Sequence, residues 1–266
     1  MDSQQYAVIG GDSAIGAELV RSLRADGHRV LVTTRRHDRV DHSWMLPGDH
    51  CVYLDLRTGG LDYEWPHPEV AFICAGVSGE RCTADDRPVN VESTLAIAKM
   101  FRDLGTHVVF PSTTRPPICE YARQKRDVEE SLLDSGGASI VRLGKVLTPG
   151  FPLFAEWAAR LRNFQPIECR ADLSLSPITL GHAVAALRNA GERRISDRMT
   201  VSANAAVTYF DIGIQLAKQI GAGSHFVLPI LSPRMPIAEE RCCNCHTLGI
   251  IPASPWVAVD EAFALL

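Results

Sequence analysis

Tyr121 and Lys125 stand one helical turn apart in "EYARQKRDVEESL", Glu120 to Leu132. At that spacing two side chains share a helix face. The apolar stripe of this helix, Val128, Leu132 and Leu133, runs back through Lys125 to Tyr121. A lysine in line with a core-facing stripe is unusual, because an ammonium is costly to desolvate without a partner. A phenol beside an ammonium is a pair that can exchange a proton. A free phenol titrates near ~10, and lowering that by about 3 units asks roughly 4 kcal/mol of a close, partly desolvated cation. The competing reading is a plain amphipathic helix whose first turn carries both residues by chance. "PSTT" lies just upstream and sets Ser112 and Thr113 at the end of an apolar run, which favours chemistry.

A second constellation lies near the N-terminus. "VIGGDSAIGAEL" follows an apolar run and opens a helical pattern. Gly10, Gly11 and Gly16 allow a tight turn, with Ser13, Ala14 and Ile15 leading into a helix whose N-terminus would face a pyrophosphate. The second apolar run ends in "VTTRRHDR". An NAD-preferring site puts a carboxylate there for the ribose 2′-hydroxyl. Arg35 and Arg36 stand there instead and suit a 2′-phosphate, which favours NADP over NAD. A solvated basic loop is the alternative. In "YLDL", Asp55 and Leu56 follow the third run, where the carboxylate could accept from an adenine amino group. Cys74, Ala75 and Gly76 end the fourth run with small residues that let a cofactor approach closely.

These residues need a scaffold, and the chain alternates short apolar runs with helical patterns through its first half. "YAVIGG", "HRVLVTT", "HCVYLDL", "EVAFICAG", "HVVFPST" and "ASIVRLG" read as strands. Between them Ala14 to Ala25, Val91 to Leu104 and the Tyr121 segment read as helices. Continuous apolar strands between helices predict a parallel sheet covered on both faces, a doubly wound α/β (Rossmann) fold. After Gly144 the pattern changes. "LTPGFP" is turn-rich, and the remainder predicts helices near Phe154 to Arg162, Leu180 to Asn189 and Val259 to Leu265. "RMTVS" reads as a short strand. "TYFDIGIQLAKQIG" reads as a helix capped by Thr208 and closed by Gly221. The expected organisation is a dinucleotide-binding domain over residues 1–148 and a smaller mixed α/β substrate lobe over 149–266.

Composition narrows the function classes. The chain of 266 residues is 46% hydrophobic and 22% charged, with a formal charge of −4. Those are ordinary globular values, without a basic footprint for nucleic acid. No apolar run reaches the length of a membrane span, and "MDSQQYAVIGG" lacks the apolar core of a signal peptide, so the expectation is a cytoplasmic protein. The eight cysteines are then expected to be mostly buried thiols. "CCNCH", Cys242 to His246, matches a haem-attachment spacing and half a zinc site. Haem attachment needs export and a structural zinc needs a second ligand pair, so no metal is expected.

Taken together, "GGDSAIG", "LDL", "ICAG", "NVESTLAI", "VVFPSTT", "YARQK" and "VRLGKVLTPG" give the chain its likeness over nearly its whole length. It resembles the extended short-chain dehydrogenase/reductase superfamily, in the NAD(P)-dependent epimerase/dehydratase branch acting on nucleotide sugars. "LGIIPASPWVAVDEAFALL" looks like that branch's closing segment. The resemblance implies hydride transfer at a carbinol or carbonyl carbon, with Tyr121 exchanging the proton on its oxygen. Lys125, aided by the positive nicotinamide ring, would favour phenolate and hold the nicotinamide ribose hydroxyls. Thr113, or alternatively Ser112, would orient the substrate oxygen. Asn90 matches the family position that stabilises a water-linked proton relay. The second lobe, with Pro149, Gly150 and the region of Arg170, would cover the substrate, Arg170 reaching a diphosphate. Relatives also suggest a homodimer through the helix near Val91 to Leu104 and the Tyr121 helix.

The chain departs from that pattern in two places. Only "TRPPICE" separates Thr113 from Tyr121, where most of the family has a longer excursion, so the rim should be more open. Dehydratases carry an acidic pair after the threonine, whereas Thr114 and Arg115 follow here, which disfavours dehydration. The expected activity is an NADP-dependent oxidoreductase or epimerase of a nucleotide sugar. The alternatives are a reductase of another small carbonyl compound and a non-catalytic NADP-sensing protein.

Overall fold

The computed structural model describes residues 5–35, 50–58, 67–231, 237–238 and 245–266. Its centre is a seven-stranded sheet in the order β11-β6-β5-β4-β1-β2-β3, and every pairing in it is parallel. The strands are β1 (Gln5–Ile9), β2 (Arg29–Thr34), β3 (His50–Tyr53), β4 (Val70–Ile73), β5 (His107–Thr113), β6 (Ala138–Leu143) and β11 (Arg198–Val201). β1, β4, β5 and β6 are Val/Ile/Phe-rich, and their described residues are almost wholly buried. Such continuous burial demands cover on both faces. The helices α1 (Ala14–Ala25), α2 (Thr94–Asp103), α3 (Glu120–Ser135) and α5 (Leu180–Glu192) provide it. Two apolar clusters result. One joins Val8, Leu19, Phe72 and Leu187, the other Ile9, Ile73, Phe101, Phe110 and Leu132.

Chain order reverses between β1 and β4, with Ile9 level with Ile73. Strand carboxyl ends splay apart at such a switch point and leave a crevice for ligand.

The segment read as one helix from Val91 to Leu104 is two structures: a π-helical turn over Pro88–Ser93, then α2. A π turn inserts an extra residue and re-aims the side chains on it, a device concentrated at functional sites. Asn90 lies on this turn.

Beyond β6 the chain builds a third cluster from α4 (Pro152–Arg162), α6 (Tyr209–Ile220) and α7 (Pro255–Phe263). Phe154, Trp157, Leu161, Leu216 and Phe263 are its large members. Thr208 and Asp211 cap α6 reciprocally, and Gly221 closes it in the left-handed conformation at φ 77°. Short strands that sequence patterning did not reveal fill the gaps: β7 (Val146–Leu147), β8 (Ile167–Arg170), β9 (Leu173–Leu175), β10 (Ile178–Thr179), β12 (Val207–Thr208), β13 (Val227–Ile230) and β14 (Ile237–Ala238). Two to four residues are too few to show a period of two. α5 and β11 return to the large sheet, α5 against α1 and β11 as its edge strand.

Candidate active site

The turn after β1 is fixed by contacts that admit only glycine. Gly10 has φ 87°, and a Cβ there would stand 2.7 Å from the backbone of Ala75. At Gly16 a Cβ would meet the Gly10 carbonyl oxygen at 2.2 Å. Ser13 caps α1: its Oγ accepts from the Gly16 N–H at 3.0 Å and donates to the Gly10 carbonyl at 2.8 Å. The Gly10 N–H donates to Thr33 Oγ1 at 3.0 Å, tying the turn to the end of β2.

Two adjoining cavities open on this turn. One, of about 440 Å³, is lined by Gly10, Asp12, Thr33, Arg35, Asp55, Leu56 and Arg81. The other, of about 350 Å³, is lined by Ala14, Ile15, Asn90, Thr113, Tyr121 and Lys125. Ser13, Cys74, Ala75, Gly76 and Val77 border both, so together they form one groove across the switch point. Gly11 and Gly16 border neither. Their place is packing, since a Cβ on Gly11 would stand 2.3 Å from Val32 Cγ1. Arg36 and the Cys242–Cys243 part of "CCNCH" lie outside the described residues. Cys245 is buried and disulfide-bonded, whereas Cys51, Cys74, Cys82, Cys119 and Cys169 are free thiols, as expected of most of the cysteines. Among the described residues no His, Cys, Asp or Glu cluster could hold a metal.

α3 presents Tyr121 and Lys125 to the second cavity, as their spacing requires. The Lys125 ammonium donates to the Pro111 carbonyl at 2.8 Å. It lies 4.2 Å from the Phe110 ring centroid and 5.8 Å from that of Tyr121. Burial lowers Lys125 to about 8, against a partial restoring pull from Cys74 and Glu129. Burial pushes the Cys74 thiol up to about 12. Burial raises the Tyr121 phenol to about 12 in the unliganded chain, with Arg115 opposing.

Thr113 lines the cavity, and its Oγ1 accepts from the Arg115 N–H at 3.2 Å. The Ser112 hydroxyl is committed elsewhere: it donates to Glu129, a fully buried carboxylate on α3. Glu129 also takes Arg126 at 3.0 Å and Arg142, on β6, at 2.6 Å. This cluster bolts α3 to β5 and β6 directly beneath the Tyr121–Lys125 turn.

Asn90 grips the loop after β4 at both backbone groups. Its Oδ1 accepts from the Val77 N–H at 2.7 Å, and its Nδ2 donates to the Val77 carbonyl at 2.9 Å. Gln124, which sequence reasoning passed over, completes the grip. Its Oε1 accepts from Asn90 Nδ2 at 2.8 Å, and its Nε2 donates to the Thr83 carbonyl at 2.8 Å and to Glu120 at 3.0 Å. A polar residue adjacent to Lys125 on a buried helix face was the available signal. Arg81, Arg115 and Lys145 also line the groove and were not read as site residues. Arg170, expected near a diphosphate, pairs with Asp172 at 2.6 Å and borders neither cavity. Pro149 and Gly150 also border neither, whereas Thr148 does.

A doubly wound parallel sheet with a glycine turn at its switch point and a tyrosine–lysine helix beside it is a Rossmann-like, dinucleotide-binding class of fold. Residues 6–136 match the model of the NAD dependent epimerase/dehydratase family. The chain is 30% identical over 173 residues to 2′-dehydrokanamycin reductase of Streptomyces kanamyceticus, covering 59% of this chain and 47% of that protein. It is 31% identical over 149 residues to ceramide reductase of Caulobacter vibrioides, covering 54% and 47%. The chain thus matches about half the length of these curated relatives. A solved structure of dTDP-glucose 4,6-dehydratase from Bacillus anthracis, in complex with NAD, superposes with a TM-score of 0.80 at 11% identity, over 99% of this chain and 96% of that one. At that identity the likeness is one of fold. No helix among the described residues is long and apolar enough to cross a membrane.

Proposed function

We propose that this protein is an NADP-dependent oxidoreductase that reduces a carbonyl carbon, with Tyr121 as the proton donor. The observation that carries the reading is the placing of Tyr121, one turn from Lys125 on α3, in a cavity continuous with the glycine turn. The groove fits a dinucleotide. Gly10 lets the turn close against Ala75, and the N-terminus of α1 borders the groove with a partial positive charge. Arg35, joined by Arg81 from the facing loop, would hold a 2′-phosphate, and Asp55 the adenine amino group. When bound, NADPH supplies the hydride.

This chain's residues handle the proton. Thr113 Oγ1 orients the substrate oxygen toward Tyr121, whose Oη gives up its proton as negative charge develops there. The Lys125 ammonium, now on the Pro111 carbonyl, turns to the nicotinamide ribose hydroxyls and eases loss of the phenolic proton. Asn90 and Gln124 hold the Val77 loop beside the groove. Every described residue lining the groove falls within 1–148, our proposed dinucleotide-binding part, and 149–266 is proposed as the substrate lobe of a cytoplasmic enzyme.

The two curated relatives are named as reductases, which supports the reducing direction. A second reading is epimerisation of a nucleotide sugar, supported by the match of residues 6–136 to the NAD dependent epimerase/dehydratase model. A reductase consumes NADPH, whereas an epimerase keeps its cofactor and returns the hydride. The test is NADPH oxidation over a carbonyl panel with Tyr121→Phe beside wild type. Loss of turnover by at least about 100-fold, with NADPH binding retained, is expected. Equal turnover in both proteins would exclude Tyr121 as the donor.

A further inference from the structure

Thr113 Oγ1 accepts from the Arg115 N–H at 3.2 Å, so residue 115 begins beside the hydroxyl that orients the substrate oxygen in our reading. Pro116 and Pro117 follow, which stiffens the segment and favours extended backbone at Arg115 itself. The half-buried arginine lines the second cavity together with Tyr121, and none of the described residues lining that cavity is a carboxylate. Lys125 is placed differently. Its ammonium donates to the Pro111 carbonyl at 2.8 Å and lies 4.2 Å from the Phe110 ring centroid, against 5.8 Å from that of Tyr121. Burial is what raises the phenol most. Cys82, in the loop after β4, and Cys119, at the start of α3, add to it, and the Arg115 guanidinium alone among the described charges works against them. The neighbouring Glu120 turns to Gln124 and Arg123, and Cys74, at the end of β4, acts on Lys125. Lys145, between β6 and β7, lies 5.1 Å from the Phe151 ring centroid.

A phenolate formed in a half-enclosed cavity needs a cation that is still charged when the proton leaves. Burial holds Lys125 at about 8, so it sheds its own proton well before a phenol held up at about 12 by burial. A guanidinium keeps its charge across that whole range. We propose that Arg115 is the electrostatic partner of Tyr121, stabilising the phenolate left behind when the proton passes to the substrate oxygen. In that step the O–H bond at Tyr121 Oη breaks, one forms on the substrate oxygen, and the negative charge moves from the substrate to Oη. Arg115 acts through Tyr121 and is a positioning residue, while Lys125 keeps the ribose hydroxyls. The inference rests on the reading of Tyr121 as the proton donor and adds the group that tunes it.

Installing 3,5-difluorotyrosine at position 121 of the full chain tests this without turnover. Fluorine makes the phenol more acidic, so its titration can be followed by phenolate absorbance at a pH where the fold survives. In Arg115→Gln the titration is expected to move up by about one unit, a tenfold gain in proton affinity, and Arg115→Lys to return at least half of that shift. The natural side chain supplies a second readout. Carbonyl reduction needs the protonated phenol, so the high-pH limb of its rate profile moves upward in Arg115→Gln by a similar amount. An unmoved titration in Arg115→Gln, or one moved equally by Arg115→Lys, overturns the proposal. Turnover in Tyr121→Phe reports on the proton donor alone, so either idea can fail while the other stands.

Discussion

Arg35, Lys125 and Tyr121 each carry a separate consequence at the scale of the single residue. Arg35 stands exposed at the end of β2, lining the cavity with Arg81. Arg35→Ala should weaken NADPH binding about tenfold and leave NADH almost unmoved, measured by fluorescence titration of both. Lys125 titrates in the fold at about 8, below its ordinary 10.5, chiefly through burial. The folded chain therefore binds fewer protons than the unfolded chain between those values, and stability rises with pH across that window. At neutral pH the ammonium costs the unliganded fold on the order of 2 kcal/mol, after discounting for its half-buried position. Lys125→Met should accordingly raise the denaturation midpoint at pH 7 while abolishing turnover. A lower midpoint would show that the Pro111 contact outweighs desolvation. The pairing of Tyr121 with Lys125 was legible from spacing alone. The contact of the ammonium with the Pro111 carbonyl was not, because it depends on how the end of β5 packs against α3.

α3 acts as a rigid bar at the scale of the element, and its polar underside does the fixing. Glu129 is fully buried among Arg126, Arg142 and Ser112, so Glu129→Gln strands buried guanidinium charge. A loss of about 3–5 kcal/mol in chemical denaturation is expected, the usual cost of removing one partner of a buried pair. Gln124 ties α3 to the π-helical turn through Asn90. Gln124→Leu should lower kcat more than it raises KM, and Gln124→Asn should recover little, because its shorter arm cannot span Asn90 and Thr83 together. Equal kcat in all three proteins would reduce the network to a structural tie. The strands and helices of the first half were readable because long apolar runs and helical stripes leave strong periods. The π turn was not, since one extra residue in a helix changes no composition and only a backbone shows it. Ser112 and Thr113 were equivalent in sequence; alternation along β5 separates them, sending one hydroxyl to Glu129 and the other to the cavity.

Considered whole, the molecule is one sheet with a groove across its switch point and a second cluster beside it. The change of sequence character after Gly144 marks a change of role more than a change of core, because α5 and β11 return to the first sheet. Pairing through α2 and α3 remains our proposal for a homodimer. α2 carries the exposed Lys99–Asp103 ion pair, and Asp127 of α3 pairs with Arg87 just before the π-helical turn, so such an interface would be polar and its light-scattering mass salt-sensitive. NADP at about 100 times its dissociation constant should stabilise the protein by about 2.7 kcal/mol, visible as a raised melting temperature. The most direct measurement is a crystal structure of the NADPH complex. Our account predicts the nicotinamide in the cavity between Cys74 and Tyr121, with Lys125 moved from the Pro111 carbonyl to the ribose hydroxyls. A nicotinamide outside that cavity, with Lys125 still on Pro111, would contradict it.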